Sequence, residues 1–148
     1  MQSDKFTALV RNAIGAAQSA ALAANHQKLT AEHVLAALLK DDNMTVKMLL
    51  AKAGADSASL SALLKAALDK FPQVTGSGAG QLQLDADLAR IFAAVEAEAK
   101  ARHDQFIAVD LLLLAMTKTT GSVGKILKKA GVEPAPLGAA IDEMRKGR

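Results

Sequence analysis

Three histidines are the side chains of this sequence best suited to chemistry, since imidazole binds metals and transfers protons near neutral pH. His26 and His33 are seven residues apart, and His103 lies far along the chain. A helical zinc motif needs two histidines four residues apart, and a helix break is predicted at Leu29-Thr30, between the first two. The chain has no cysteine to supply a thiolate. We therefore predict surface or capping histidines and no metal site.

Two glycine-containing segments, 76–80 and 121–125, have some features of a phosphate-binding loop. A P-loop requires a strand before it, a helix after it and a Gly-Lys-Ser/Thr ending. The first segment has no lysine, and the second is followed by Ile126 where the hydroxyl residue should be. We interpret the first as a linker and the second as an ordinary helix N-terminus.

Paired carboxylates, which serve some hydrolases as acid and base, occur at Asp41-Asp42 and Asp142-Glu143. The helical pattern places the first pair at a helix end and the second on a solvated face. No serine, histidine and aspartate stand in an arrangement typical of nucleophilic catalysis. We therefore predict that this chain is not an enzyme.

Basic residues concentrate in one predicted helix and at the C-terminus. They are Lys125, Lys128, Lys129, Arg145, Lys146 and Arg148. A nucleic-acid binder needs a concentrated basic face, or aromatic side chains that stack on bases. Here Trp and Tyr are absent, acidic residues are interleaved throughout, and the formal net charge is only +3. We interpret the basic residues as solvated faces or helix-dipole partners and expect no nucleic-acid partner.

The elements that must carry these residues are suggested by the composition, which includes 32 Ala and 21 Leu among 148 residues. Both are strong helix formers, so a closely packed helical domain is favoured. No apolar stretch reaches the roughly 20 residues that a membrane span requires, because Asp110 interrupts the best candidate, 106–116. The start of the chain has no signal-peptide pattern. We expect a cytoplasmic domain with no membrane partner.

The spacing of apolar residues predicts eight helices. Phe6, Val10 and Ile14, for example, recur at steps of four residues, as one face of a helix requires. Thr30 and Asp85 are N-cap residue types, and glycines after the third and seventh helices suit left-handed C-caps. The predicted helices span about 5–24, 31–40, 44–53, 57–70, 86–102, 109–118, 122–130 and 134–146.

The two halves of the chain repeat one pattern. When the halves are aligned so that Val10 matches Leu88, Glu32 matches Asp110, and the apolar positions stay in phase through most of each half. A chargeless Gly/Ser-rich segment separates the halves. We predict an all-α fold of two tandem four-helix repeats with pseudo-twofold symmetry: repeat 1 at 1–71, a linker at 72–83 and repeat 2 at 84–148.

Several segments resemble the Clp N-terminal repeat. They are Lys5-Phe6-Thr7, 17–22, 25–35 and Lys52-Ala53-Gly54. Segments 71–78 and 103–107 are similar to the corresponding parts of the ClpB disaggregase branch of the Hsp100/Clp family. The similarity covers essentially the whole chain and recurs in both halves. The chain thus resembles the N-terminal domain of that branch, in the double Clp N-domain fold.

The resemblance implies a function for the parent protein and for this part of it. Such a parent is a homohexameric AAA+ ATPase that binds ATP and Mg and works with the DnaK system to refold aggregated proteins after heat stress. The N-domain captures unfolded or aggregated polypeptides for delivery to the pore, without catalysis or a cofactor of its own. The alternative is an adaptor-docking or phosphoarginine-binding N-domain of a ClpA/ClpC-type unfoldase. Against a paired phosphoarginine site, only repeat 1 keeps the Thr-Ala-Glu pattern, at Thr30, whereas repeat 2 has Ala108-Val109-Asp110.

The resemblance also implies a substrate site. Family positions tied to that role match Thr7, Asp104 and Asp110, although the family often has Glu where this chain has Asp110. Unfolded chains expose apolar side chains, so we expect a shallow apolar groove with those three residues as its rim. Its candidate lining is Phe6, Val10, Ile14, Phe92, Val95 and Leu111, with Phe106 in the same region.

These candidate residues also have structural interpretations. Any of the six lining residues could belong to the core, Thr7 could be an ordinary first-turn residue, and the two aspartates could cap a helix. Among the six, Leu111 is the best candidate for an accessible position, because its counterpart in repeat 1 is the polar His33.

Overall fold

The computed structural model of the chain describes residues 3–40, 44–75 and 80–146. A 3-10 turn, Ser3–Lys5, precedes helix α1, Ala8–Ala23. The other helices are α2, Ala31–Lys40; α3, Met44–Lys52; α4, Ser57–Asp69; α5, Ala86–Ala101; α6, Val109–Lys118; α7, Ser122–Lys129; and α8, Pro134–Lys146. Two short strands are β1, Lys28–Leu29, and β2, Gln83–Leu84. The eight predicted helices are confirmed within the described residues.

Capping residues set the helix ends close to the predicted positions. The Asp56 side chain accepts a hydrogen bond from the Ser59 N–H at 3.2 Å, and Asp85 accepts one from the Asp87 N–H at 3.1 Å. Thr30 Oγ1 accepts from the His33 N–H at 3.3 Å, just before α2. Side-chain oxygens in these positions satisfy N–H groups that have no partner within the helix.

The first helix starts three residues later than predicted, because its leading segment pairs with the other repeat. Phe6 forms a parallel bridge with Ile107, and β1 pairs in parallel with β2, Leu29 against Leu84. The alignment of the two repeats relates Phe6 to Leu84 and Leu29 to Ile107. Each repeat therefore pairs its leading segment with the loop before the second helix of the other repeat. This exchange is the pseudo-twofold feature of the fold that local patterns did not predict.

One hydrophobic core extends through both repeats. Within each repeat the first helix packs on the second, while α3 packs on α8 and α4 on α7 across the repeats. Helix α6 is the central element, since every residue from Val109 to Met116 is buried. A fully buried Leu or Val side chain contributes roughly 1.5–3 kcal/mol to the free energy of unfolding. The two repeats thus stabilise each other through shared burial.

The loops that end α3 and α7 meet where the repeats join. Gly54 and Gly131 both have left-handed backbone conformations, with φ of 87° and 89°. The Asp56 N–H donates to the Ala130 carbonyl at 2.9 Å across this contact. A β-carbon at Gly131 would lie 3.2 Å from the Gly54 carbonyl oxygen. Glycine is therefore required here both by φ and by the approach of the neighbouring loop.

Candidate functional site

The start of α1 lies against the segment that leads into α6. The Thr7 N–H donates to the Ile107 carbonyl at 3.0 Å, and the Ile107 N–H donates to the Lys5 carbonyl at 2.7 Å. Thr7 is also the N-cap of α1, because its Oγ1 accepts from the Val10 N–H at 3.4 Å. Since Ile107 lies between Asp104 and Asp110, the three predicted rim residues are brought to one region of the molecule.

Arg145 of α8 joins the two aspartates of this region. Its Nε donates to Asp110 Oδ2 at 2.9 Å and its Nη2 donates to Asp110 Oδ1 at 3.2 Å. Its Nη1 donates to both oxygens of Asp104, at 3.0 and 3.2 Å. Hydrogen bonds to Asp110 raise the pKa of Arg145 above its ordinary value, against the opposing effect of burial. The guanidinium thus holds the segment before α6 against the C-terminal helix.

Asp110 is the most enclosed member of this cluster. Its side chain is 1% exposed, compared with 22% for Asp104 and 21% for Arg145. One of its oxygens also accepts the Leu111 N–H at 2.7 Å. The carboxylate is therefore fully engaged inside the protein. Arg145 lies in the last turn of α8, as a helix-dipole partner would, but the interpretation of it as a solvated residue is wrong, because it bridges two acidic groups 35 and 41 residues away.

Five of the six expected groove residues lie in the core. Their exposed fractions are 4% for Phe6, 0% for Val10, 6% for Phe92, 0% for Val95 and 1% for Leu111. Ile14 is partly buried against the same core. The Phe6 and Phe92 rings pack with centroids 5.6 Å apart. In this structure the five form the interior beneath α1, α5 and α6 rather than the lining of an open groove.

The expectation that Leu111 is the most accessible of the six is wrong. It was based on the polarity of its counterpart, His33, which is itself only 3% exposed. His33 is buried without loss of hydrogen bonding, because Thr30 and His26 supply partners. Polarity at one position therefore did not indicate solvent exposure at the equivalent position of the other repeat.

Exposed apolar side chains occur beside the Thr7–Ile107 hydrogen bond. Phe106 is 54% exposed and precedes Ile107, while Leu9 is 46% exposed and lies two residues after Thr7. A cavity of about 280 Å³ opens nearby, between Lys5, Glu96, Asp104 and Ile107. The Lys5 Nζ forms an ion pair with Glu96 at 3.3 Å. We refer to Lys5, Thr7, Leu9, Asp104 and Phe106 as the junction face.

The first two histidines form a buried pair, so the prediction of surface positions is wrong for both, whereas the capping alternative holds for His33, which exchanges hydrogen bonds with Thr30 before α2. His26 Nδ1 and His33 Nε2 are 2.8 Å apart, and His33 Nδ1 accepts the Thr30 N–H at 3.1 Å. Since Nδ1 of His33 is an acceptor, its Nε2 carries the proton and donates to His26. Burial, with a smaller effect from His26, lowers the pKa of His33 to about 4. His33 is therefore neutral at pH 7.

The histidine pair packs against Phe71, the last residue of predicted repeat 1, and His26 forms an antiparallel bridge with Gln73 of the predicted linker. The Phe71 ring lies 5.4 Å from the His26 ring and 5.5 Å from the His33 ring, centroid to centroid. The Val74 N–H donates to the Asn25 carbonyl at 2.7 Å. Across residues 3–40, 44–75 and 80–146 the structure shows no group of three His, Cys, Asp or Glu that could hold a metal ion. The two imidazole rings are therefore packing partners of Phe71.

The remaining sequence motifs have structural roles where the structure describes them. Gly121 is the N-cap of α7, as predicted, and a side chain there would collide with the Asp87 carboxylate. Asp142 and Glu143 lie exposed on α8, where they pair with Arg102 at 3.1 Å and Lys52 at 3.9 Å. Segment 76–79 and residues 41–42 lie outside the described residues. In the described part of the chain, no helix has the length and apolar content to cross a bilayer.

Comparison with known proteins identifies the relatives of the chain. Residues 5–130 match the family model described as the Clp repeat (R) N-terminal domain. The whole chain aligns with the chaperone protein ClpB of Rhizobium meliloti at 42% identity over 149 residues, and with that of Rhodopseudomonas palustris at 41%. It spans only 17% of the length of each.

Solved structures share the fold at low sequence identity. The Hsp104 N-terminal domain of Candida albicans is 20% identical, with a TM-score of 0.83, covering 97% of this chain and 93% of that one. A ClpV N-domain in complex with a VipB peptide is 16% identical, with a TM-score of 0.67, covering 86% of this chain and 79% of that one. The observed architecture is therefore that of the Clp and Hsp104 N-domains.

Proposed function

The chain belongs to the Clp repeat N-terminal domain family as the N-terminal domain of a ClpB-type chaperone, and we propose that its junction face captures unfolded or aggregated polypeptides. The observation that carries this proposal is the exposure of Phe106 beside the Thr7–Ile107 hydrogen bond. Unfolded chains differ from folded ones in the apolar side chains that they present to water. A binding surface for them needs apolar side chains of its own that are accessible.

The junction face combines apolar contacts with a polar border. Phe106 and Leu9 offer apolar surface within two residues of the same backbone hydrogen bond, and aromatic side chains are enriched among residues that dominate binding energies. Lys5 and Asp104 place opposite charges beside them, at the 280 Å³ cavity. Both charges are paired within the chain, Lys5 with Glu96 and Asp104 with Arg145, so the border is polar but has no unpaired charge that would select one sign of charge on the substrate.

The residues singled out by the family resemblance act, in this proposal, as positioning residues. Thr7 fixes the start of α1 against Ile107 through its backbone. Asp104 and Asp110 fix the segment that carries Phe106 through their bonds to Arg145. The buried Phe6 and Phe92 rings pack beneath the same segment of the chain, with centroids 5.6 Å apart. The aromatic contact is thereby presented from a rigid base.

For the parent protein we propose the role that its relatives' name suggests. Captured polypeptides would pass to the pore of a homohexameric cytoplasmic AAA+ ATPase that binds ATP and Mg and works with the DnaK system in refolding after heat stress. The present chain would contribute recognition, without catalysis or a cofactor of its own. A related N-domain has been solved with a bound VipB peptide, which supports peptide recognition by this fold.

The adaptor-docking or phosphoarginine-binding alternative is less well supported by the site. A guanidinium ligand would need free carboxylates at Glu32 and Asp110. Glu32 is 5% exposed and accepts a hydrogen bond from Ser122 Oγ at 2.5 Å. Asp110 is bound by Arg145. Both carboxylates are already occupied by groups of this chain.

The proposal is tested by removing the exposed aromatic ring. Phe106→Ser is expected to weaken binding of a fluorescein-labelled, chemically unfolded model protein by about 5- to 30-fold, the range for a contact worth about 1–2 kcal/mol. Because the side chain is half exposed, stability should change by no more than about 0.5 kcal/mol. Fluorescence anisotropy measures the affinity, and urea unfolding measures the stability.

Met44→Ser is the matched control, since Met44 is 73% exposed on α3 and has no part in the junction face. It is expected to leave the affinity unchanged. Equal weakening by both variants would indicate nonspecific apolar adhesion and would contradict the proposal. In nuclear magnetic resonance (NMR) titrations of the unaltered chain, the largest shifts are expected at Leu9, Asp104 and Phe106.

A further inference from the structure

A second concave surface lies in repeat 1, away from the junction face. Two adjoining cavities, of about 520 and 420 Å³, share Ala36, Lys40 and Leu68. The larger one lies between α1 and α2, with Ala16 and Ala20 in its wall. The smaller one continues between α2 and α4. We refer to the lining of both cavities as the repeat 1 groove.

The repeats differ in what fills this position. The alignment that matches Val10 with Leu88 also relates Ala20 to Glu98 and Lys40 to Lys118. In repeat 2 the Lys118 Nζ lies 3.9 Å from Glu98 Oε1, so an ion pair crosses from α6 to α5. Repeat 1 has the lysine but has alanine in place of the carboxylate. The ion pair that links these two helices in repeat 2 therefore has no counterpart at Ala20 and Lys40 of repeat 1.

Lys40 is exposed at the border shared by the two cavities. Within the described ranges 3–40, 44–75 and 80–146, no carboxylate lies within ion-pair distance of it. The floor beside it is apolar, formed by Ala36 and Leu68, and the His33 imidazole that borders it is neutral at pH 7. The groove thus combines apolar volume with a lysine that no carboxylate of the described residues pairs.

We propose that the repeat 1 groove binds a short amphipathic helix that carries apolar side chains on one face and a carboxylate that pairs with Lys40. The groove follows α1 from Asn12 to Ala20, about 12 Å, which is the length of a two-turn helix. Alanine walls allow a helix to approach closely, as in other helix-in-groove complexes. The ligand's carboxylate takes the place that Glu98 occupies in repeat 2.

This site is independent of the junction face and does not depend on the function proposed for it. The probe is a fluorescein-labelled, N-acetylated 14-residue alanine-based helix with leucines at positions 3, 7 and 10 and one glutamate at position 11. Saturable binding to this 148-residue chain is expected, with NMR shifts at Ala16, Ala20 and Lys40. A peptide with glutamine at position 11 should bind about threefold more weakly, the range for an exposed ion pair.

Two variants of the protein separate the apolar and charged parts of the site. Ala20→Glu supplies the carboxylate of repeat 2 and closes the groove, so it should weaken binding by about tenfold. Lys40→Gln should lower the affinity for the glutamate peptide by about threefold and leave the affinity for the glutamine peptide unchanged. Ala51→Glu, an equal charge change on an exposed position of α3, should have no effect.

Several outcomes would overturn the proposal. They are an absence of saturable binding, equal affinities for Ala20→Glu and Ala51→Glu, and unchanged discrimination between the two peptides in Lys40→Gln. Loss of binding in Phe106→Ser would also overturn it, by assigning the peptide to the junction face. Circular dichroism establishes that each variant is folded. If Ala20→Glu fails to fold, Lys40→Gln still tests the proposal, because it alters only an exposed side chain.

Discussion

Removing the guanidinium of Arg145 tests how much its contacts with Asp104 and Asp110 contribute to the free energy of unfolding. Arg145→Met retains an unbranched apolar chain in place of the arginine stem but removes four charge-assisted hydrogen bonds. It leaves Asp110, 1% exposed, with only the Leu111 N–H as partner. Removing one member of a buried ion pair costs about 3–5 kcal/mol, and the partial exposure of Arg145 places the expected loss near the lower value, about 3 kcal/mol.

Arg102 provides a matched control. Its side chain is 25% exposed, close to the 21% of Arg145, and it also contacts two carboxylates. Those carboxylates, Glu98 and Asp142, are 32% and 59% exposed, so they regain water when the arginine is removed. Arg102→Met is therefore expected to cost no more than about 1 kcal/mol.

Urea unfolding at pH 7 measures both losses, and a thermal midpoint about 6–12 °C lower should accompany the first. Adding Asp110→Asn to Arg145→Met removes the stranded charge and should recover about half of the lost stability. Equal costs for the two arginines would refute the reasoning, as would a double variant less stable than Arg145→Met alone. Either result would mean that Asp110 reaches water despite its burial.

Two further predictions concern the histidine pair and the glycines. Because burial lowers the pKa of His33 to about 4, while the unfolded chain has a value of about 6.5, unfolding takes up a proton below pH 6.5. The contribution of His33 to the free energy of unfolding is complete above pH 6.5 and is about 2 kcal/mol smaller at pH 5. Urea unfolding should show this decrease in the unaltered chain, and the decrease should be absent in His33→Leu. An equal decrease in the stability of His33→Leu would contradict the assignment of this pH dependence to His33. Gly131→Ala should lower stability by about 1 kcal/mol or more, since φ is 89° and Gly54 lies close, whereas Gly15→Ala, in open helix, should raise it by about 0.5–1 kcal/mol. Thermal unfolding checks the two signs, and the same sign for both would count against the conformational argument.

Features with local causes were predictable from sequence. The ends of α2, α6 and α8 lie at the predicted residues, because N-cap side chains, prolines and apolar periodicity act within a few residues of each other. The duplication supplied a second instance of each pattern. Local patterns and their repetition are together sufficient to predict the all-α repeat architecture without any tertiary contact.

Features with distant causes were not predictable. The late start of α1 depends on pairing with Ile107, which lies in the other repeat. The partners of Arg145 are similarly remote. Burial of His26 and His33 required the turn at Thr30 to bring together two rings on opposite sides of the predicted helix break.

The candidate site was only partly predictable for a related reason. In helices as rich in Ala and Leu as these, apolar residues occur on every face, so periodicity does not separate core from accessible surface. Helix α6, buried from Val109 to Met116, is the extreme case. The family resemblance placed Thr7, Asp104 and Phe106 in one region, but it could not indicate which apolar neighbours remain exposed.

The exchange of leading segments between repeats has a consequence for how the domain is assembled. Phe6 pairs with Ile107 in the same way that Leu84 pairs with Leu29, so each repeat carries both halves of one self-complementary contact. Two separate copies of a single repeat could make the same contacts as a twofold dimer. Joining them in one chain fixes their effective concentration, which makes the association independent of dilution. The tandem domain is therefore equivalent to a twofold dimer of repeats whose two halves are covalently joined.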